Sequence, residues 1–295
     1  MVVGMADSFE RIGVIGSGLM GSGITEVCAR AGLEVKVVEV DAAAAERGRN
    51  RIESSLATAV RRGKLAEEES DKALSLISYE TDLAALSDRD LVVEAITEEE
   101  RVKVETFRRL DEVVSSEHAI FASNTSSIPI MKLASVTSRP EQVIGLHFFN
   151  PVPVLRLVEL VTSLMTSDET VERASSFATG VLDKRVIMSQ DRAGFIVNAL
   201  LIPYLLSAVR MLESGFATKD DIDAGMVEGC AHPMGPLALS DLIGLDTMKA
   251  VAESLYEEFK EPLYAPPPLL LRMVEAGLLG RKSGRGFYEY SQKAS

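Results

Sequence analysis

The chain has few thiols, few imidazoles and a shortage of positive charge. Among its 295 residues are two cysteines, three histidines and 31 basic residues against 44 acidic ones, a net charge of −13. Two cysteines, Cys28 and Cys230, cannot make a disulfide framework. Both fall in helical stretches where a thiol reads as an inert, buried core residue. The acidic balance argues against nucleic acid or an anionic membrane surface as partner, because either calls for a basic face. Small anionic ligands stay open, since they respond to local charge. A long uninterrupted apolar run is also missing. The nearest, 193–211, is broken by Asn198, Pro203 and Arg210, whereas a membrane span needs about 20 mostly apolar residues. Met1 to Asp7 has neither a basic start nor a long apolar stretch, so no signal peptide is read and a cytoplasmic location is expected. No repeat or low-complexity tract occurs, and nothing calls for a metal.

Against these absences stands residues 11–23, Arg-Ile-Gly-Val-Ile-Gly-Ser-Gly-Leu-Met-Gly-Ser-Gly. A short apolar strand runs into Gly16-Ser17-Gly18-Leu19-Met20-Gly21, and a helix-forming, proline-free segment follows. Gly16 permits the tight turn, Gly18 lets backbone approach a pyrophosphate, and Gly21 lets the helix pack close to its strand. Three glycines in six residues often mean only a loop. Here a second apolar strand, 35–38, ends in Glu39, 18 positions after Gly21, near the roughly 20-residue offset of a ribose-binding carboxylate. That acid favours NAD over NADP, because it accepts from ribose hydroxyls and repels a 2′-phosphate. Asp41 is a rival, but reads better as the cap of the helix beginning at Ala42.

The length suits two domains. Strand-like runs at 11–15, 34–39, 90–94, 119–123, 143–148, 156–161 and 185–188 alternate with helical stretches, notably 42–63 and 98–114. This predicts an α/β fold: a Rossmann-type, doubly wound, mostly parallel sheet over 1–190. After Asp191 the texture changes to helices punctuated by Gly215, His232-Pro233, Gly235-Pro236 and Pro266-Pro267-Pro268, so an all-helical C-terminal domain is expected over 191–295.

Of the histidines, His118 reads as solvated and His232, in a turn, as structural. His147 ends the strand 143–148, where an open α/β sheet places its ligands. Taken alone, such a histidine is more often structural than catalytic. Glu159, however, is an acid within the apolar run Leu157-Val158-Glu159-Leu160. A buried carboxylate is costly unless paired, and an imidazole opposite would pair it, fixing the tautomer of His147. The segment Ser123-Asn124-Thr125-Ser126-Ser127 reaches the same sheet edge. It reads either as the cap of a short helix, 128–134, or as hydroxyls holding a substrate oxygen. Arg47, Arg49, Arg51, Arg61, Arg62 and Lys64 form a local basic cluster, which is either a solvated helix face or a phosphate site.

Seven segments in order, IGVIGSGLMGSGI, LVVEAITEEERVK, ASNTSSIPI, GLHFFNPVPVLRLVELV, GFIVNALLIPYL, HPMGPLALSDLIGLD and GRKSGRGFYEY, cover the chain from end to end. Together they resemble the L-3-hydroxyacyl-CoA dehydrogenase family. The resemblance implies reversible NAD-linked oxidation of a (3S)-3-hydroxyacyl-CoA thioester by a homodimer. It implies His147 as general base, oriented by Glu159, with Ser126 touching both the substrate hydroxyl and the nicotinamide side. Asn198 would help hold substrate oxygens. Glu98, Lys103, Asn150 and Lys282 match cofactor-contacting positions, alongside Gly16, Ser17, Gly18, Leu19, Met20, Gly21 and Glu39 on the adenosine half. Ser55 and Arg62 match positions that approach CoA. Ala193 departs from the family pattern, in which many members carry proline. Gulonate dehydrogenases and lambda-crystallins look like more distant relatives acting on a free acid.

Overall fold

The computed structural model of the chain describes residues 9–290; the opening segment Met1 to Asp7 lies outside them. The chain forms two compact units, the first ending at Arg192 and the second beginning at Ala193.

The first unit opens with β1 (Arg11–Ile15), α1 (Leu19–Arg30), β2 (Glu34–Val38), α2 (Ala42–Arg61), α3 (Glu67–Ser75) and β3 (Ile77–Glu80). It continues with β4 (Leu91–Glu94), α4 (Glu100–Val113), β5 (Ile120–Ser123), α5 (Ile130–Ala134) and β6 (Val143–Phe148). It closes with β7 (Leu157–Thr162), α6 (Asp168–Ser176) and β8 (Arg185–Gln190). The eight strands form one sheet in the order β3-β2-β1-β4-β5-β6-β7-β8. All neighbours from β3 to β6 are parallel; β7 runs antiparallel to β6, and β8 parallel to β7. This is a Rossmann-type sheet with two reversed strands at one edge. The strand order reverses between β1 and β4, which opens a crevice at their carboxyl ends.

The central strands are buried from end to end, as parallel strands covered on both faces require. Ile12, Val14, Val35, Val37, Leu91, Val93, Ile120 and Ile144 pack with Ile24 and Cys28 of α1 and Ile52 and Leu56 of α2 into one core. Each such side chain contributes about 1.5–3 kcal/mol by leaving water. β3 escapes a sequence reading because its residues alternate between half-buried and exposed and form no apolar run.

The second unit is helical: α7 (Val197–Glu213), α8 (Lys219–Cys230), α9 (Pro236–Ile243), α10 (Leu245–Phe259) and α11 (Pro268–Glu275). Its core joins Ile202, Leu205, Leu206 and Val209 of α7 to Leu237, Met248, Leu255 and Leu270. Cys28 is buried as expected, but Cys230 is exposed. It is the last residue of α8, whose final turn from Val227 onward faces solvent, so no core surrounds it. Among the described residues no helix is long and apolar enough to cross a membrane.

Candidate active site

The glycine turn after β1 has the geometry that a dinucleotide phosphate needs. Gly16 adopts φ +88°, and a Cβ there would lie 2.8 Å from the Ala95 carbonyl oxygen of the loop after β4. A Cβ on Gly21 would lie 1.9 Å from the Gly16 carbonyl, so the first turn of α1 closes on its strand only with glycine at that position. Over Gly18 the space is open: a Cβ there would meet nothing within 4 Å. Gly18 caps α1 without a side-chain hydrogen bond, and the first turn holds no acidic residue. Backbone N–H groups at this helix end therefore point toward an open cradle that suits an anion. Ser17 is fully buried. Its hydroxyl and its N–H both donate to Glu39 Oε1, the former at 2.9 Å, which places the Glu39 carboxylate beside the turn. Asp41 caps α2 by accepting from the Ala44 N–H at 2.7 Å. These residues fit the adenosine half of NAD.

At the other side of the crevice β4 ends in Glu94, a fully buried carboxylate that the sequence reading passed over. It accepts from the Ile96 N–H (2.8 Å), Ser123 Oγ (2.6 Å) and Lys103 Nζ (2.6 Å). The signal was available, since Glu94 closes the apolar run Leu91-Val92-Val93 just as Glu159 interrupts its own. Lys103 is buried with it, and its Nζ also lies 3.3 Å from Glu98. Glu98 in turn gathers the loop after β5. One of its oxygens accepts from Thr125 Oγ1 (2.6 Å), the Ser126 N–H (2.8 Å) and hydroxyl (3.2 Å), and the Ser127 N–H and hydroxyl (3.1 Å each). Burial pushes the Glu98 pKa up, but the Lys103 ammonium and the loop donors outweigh it and hold the carboxyl below its ordinary value.

This loop is not the N-cap that its serines suggested. The helix begins at Ile130 rather than residue 128, and its first two N–H groups donate to the Asp191 carboxylate, both at 2.7 Å. Asp191, far away in sequence, supplies the capping oxygens, while the hydroxyls of Thr125, Ser126 and Ser127 donate to Glu98 and Thr125 Oγ1 also accepts from the Ile128 N–H at 2.9 Å. Asn124 has a separate part, its Oδ1 accepting from the Phe148 N–H at 2.8 Å.

β6 and β7 then bring the predicted dyad together. Their antiparallel register sets His147 directly opposite Glu159. His147 Nδ1 lies 2.7 Å from Glu159 Oε2, with Glu159 fully buried and the His147 side chain 7% exposed. The Phe149 ring stands 4.6 Å from the imidazole. Of the other histidines, His118 is exposed, and His232 Nδ1 lies 3.1 Å from the Tyr204 hydroxyl.

The basic cluster divides in two. A groove of about 920 Å³ runs along α1 and α2, lined by Arg47, Arg51, Ser55, Arg62 and Lys64 and by Asn150 to Val154. Arg49 turns away to Glu46 and the Tyr79 ring, and Arg61 donates to Thr58. Asn150, matched to a cofactor position by resemblance, thus lies on the wall of this groove. In the second unit Asn198 sits half-buried in the first turn of α7, and Lys282 Nζ pairs with Asp246 at 2.6 Å. Among the described residues no group of three or more His, Cys, Asp or Glu side chains is arranged to hold a metal.

Comparison with known proteins settles the lineage. Residues 11–192 match the 3-hydroxyacyl-CoA dehydrogenase NAD-binding domain, and residues 194–290 match the 3-hydroxyacyl-CoA dehydrogenase C-terminal domain. The chain belongs to the 3-hydroxyacyl-CoA dehydrogenase family. Among family members, a 3-hydroxybutyryl-CoA dehydrogenase of Mycobacterium tuberculosis is 60% identical over 97% of this chain and 100% of its own. The crystal structure of (S)-3-hydroxybutyryl-CoA dehydrogenase from Ralstonia eutropha superposes with a TM-score of 0.90 at 47% identity, covering 97% of this chain and 100% of that one. A mitochondrial hydroxyacyl-coenzyme A dehydrogenase of Sus scrofa is 44% identical over 95% of this chain and 91% of its own. As a 3-hydroxyacyl-CoA dehydrogenase by family, the chain has NAD as its cofactor, in keeping with the Gly16–Gly21 turn and Glu39.

Proposed function

We propose that the chain is an NAD-dependent dehydrogenase interconverting a short (3S)-3-hydroxyacyl-CoA, best 3-hydroxybutyryl-CoA, and its 3-oxoacyl-CoA. The observation that carries this reading is the buried His147–Glu159 pair at the end of β6, 2.7 Å apart. NAD, when bound, supplies the two-electron acceptor for the C3 hydrogen.

The chain's residues supply the rest. A proton on Nδ1, directed at Glu159, puts the basic lone pair of His147 on Nε2, which takes the proton of the 3-hydroxyl. Glu159 stabilises the imidazolium so formed. Ser126, held by Glu98, is assigned to the substrate hydroxyl, and Asn198 to the substrate oxygens. Gly16 to Gly21 and Glu39 are assigned to the adenosine half of NAD, and Glu98, Lys103, Asn150 and Lys282 to the remainder. Ser55 and Arg62 are assigned to CoA; the groove around them gathers Arg47, Arg51 and Lys64, a concentration of charge suited to several phosphates.

The same reading includes a cytoplasmic homodimer without membrane or nucleic-acid partner. Leu200 of α7 and Phe216 beyond it, 72% and 79% exposed, support self-association of the helical unit. Light scattering of the purified chain tests the dimer.

The test of the chemistry is His147→Gln. General-base catalysis is worth about 10²–10⁴-fold, so turnover on acetoacetyl-CoA with NADH falls by that factor while NADH affinity holds. Unchanged turnover would remove His147 from the role.

A further inference from the structure

Lys184 precedes β8 and is 8% exposed. Its Nζ donates to two backbone carbonyls, Val152 O at 2.6 Å and Leu155 O at 2.8 Å. Among the described residues no carboxylate lies within ion-pair distance of it. Both carbonyls belong to the segment joining His147's strand to Glu159's. There Val154 N–H and Leu155 N–H both donate back to Pro151 O, and Val152 is buried. Val152 packs so closely on α1 that a Cβ on Gly23 would come within 2.8 Å of it. Residues Asn150 to Val154 wall the basic groove. Pro153 and Val154 also wall a second cavity of about 490 Å³, which Lys184 itself lines. The segment is thus a partition between two open spaces, with Lys184 tying it down from one side.

A buried ammonium without a carboxylate is a poor stabiliser. Methionine would fill similar space without desolvating a charge. What methionine cannot do is fix two carbonyls three residues apart. We propose that Lys184 is a positioning residue for acyl-CoA binding, its ammonium holding the Pro151–Leu155 turn as a rigid wall of the groove. This rests on the reading of that groove as the CoA site.

The charge on Lys184 makes the wall pH-sensitive. Burial lowers its pKa below the ordinary lysine value. The charged and titratable groups facing it are Arg30 and Cys28 of α1, Asp183 on its own turn, and Arg156 ahead of β7. Burial pushes the Cys28 thiol up to about 12. As pH rises, Lys184 gives up its proton earlier than an ordinary lysine would, and losing it weakens both charge-assisted bonds.

The experiment measures initial rates with (S)-3-hydroxybutyryl-CoA and NAD from pH 7 to 10 for the wild type and Lys184→Met. Loss of charge-assisted hydrogen bonding predicts a thioester KM raised about tenfold in the variant at pH 7. Its kcat stays within about threefold and its KM for NAD is unchanged. The wild-type thioester KM climbs toward the variant's value as pH rises, and the variant's KM stays flat. A variant KM within about twofold of wild type, or a defect confined to kcat or Tm, overturns the proposal. Amide-exchange protection at Val154 and Leu155 in the wild type gives a readout that needs neither the variant nor turnover. It falls as pH is raised from 7 to 10 while β1 keeps its own; equal retention at both places contradicts the proposal. A wild type inactive on the thioester would fail the functional reading, with the exchange measurement still deciding the role of Lys184.

Discussion

Replacing Glu159 by glutamine removes one charge from a fully buried position and keeps the side-chain shape. In the proposed mechanism His147 becomes cationic as it takes the hydroxyl proton. With Nδ1 and Oε2 2.7 Å apart, the delocalised charge centres lie about 4 Å from each other, and an effective dielectric of about 20 gives about 4 kcal/mol of attraction. Glutamine returns about 1 kcal/mol through a neutral hydrogen bond. The net loss of about 3 kcal/mol corresponds to about 10²-fold in kcat. If the glutamine NH₂ turns toward the ring, the proton moves to Nε2 and the loss grows, to about 10⁴-fold where a triad is converted to the wrong tautomer. Glu159→Gln therefore lowers kcat for (S)-3-hydroxybutyryl-CoA oxidation by about 10²–10⁴-fold, with the KM for NAD unchanged. Stopped-flow or steady-state NADH formation reads this directly, and a thermal melt run alongside separates lost chemistry from lost fold. A kcat within about fivefold of wild type, in a folded variant, would refute the dyad.

Three further outcomes follow from other parts of the site. Glu39→Ala removes the charge that repels a 2′-phosphate, so the kcat/KM ratio of NADPH to NADH rises about tenfold or more; an unchanged ratio would take Glu39 off the ribose. Arg62 is exposed on the groove wall, so Arg62→Ala raises the KM for acetoacetyl-CoA about three- to tenfold and leaves that for acetoacetyl-pantetheine, which lacks the nucleotide, unmoved. Equal effects on both substrates would show that Arg62 does not meet phosphate. Glu98 carries a pKa below its ordinary value of 4.5, so the stability it contributes is fully present above the unfolded value and is lost as pH falls through the lower folded one. The melting-temperature gap between wild type and Glu98→Gln is accordingly constant from pH 8 to about 5 and closes only in more acid solution; a gap that narrows already near neutrality contradicts the clamp.

What could be read from the chain and what could not divide along physical lines. Periodicity and runs of buried apolar residues revealed the central strands because a doubly covered parallel strand must be apolar throughout. The same rule hid β3, an edge strand with no apolar run. The reversal of β7 left no trace in composition, since direction is decided by the connection and not by the residues. Glu159 stood out as an acid in an apolar run, and register delivered it to His147. Glu94 carried that signal too, but its partners, Lys103 and Ser123, come from a helix and a neighbouring strand that only the fold brings near. Asp191 as the cap of α5 is a contact across 60 residues, beyond the reach of local capping rules, which see only the hydroxyls of 123–127. Lys184 resembled any surface lysine, because the two carbonyls it holds carry no side-chain signature. The basic cluster was visible as a cluster, yet only geometry separated Arg47, Arg51, Arg62 and Lys64 from Arg49 and Arg61.

The central claim is that this site interconverts the C3 hydroxyl and the C3 ketone of a CoA thioester with NAD. The most direct measurement is consumption of NADH by the purified chain with acetoacetyl-CoA, set against free acetoacetate and against NADPH. Rapid consumption that requires both the thioester and the unphosphorylated cofactor is the predicted result. Turnover of free hydroxy or oxo acids with none on acetoacetyl-CoA would contradict it, and would return the basic groove to an ordinary solvated surface.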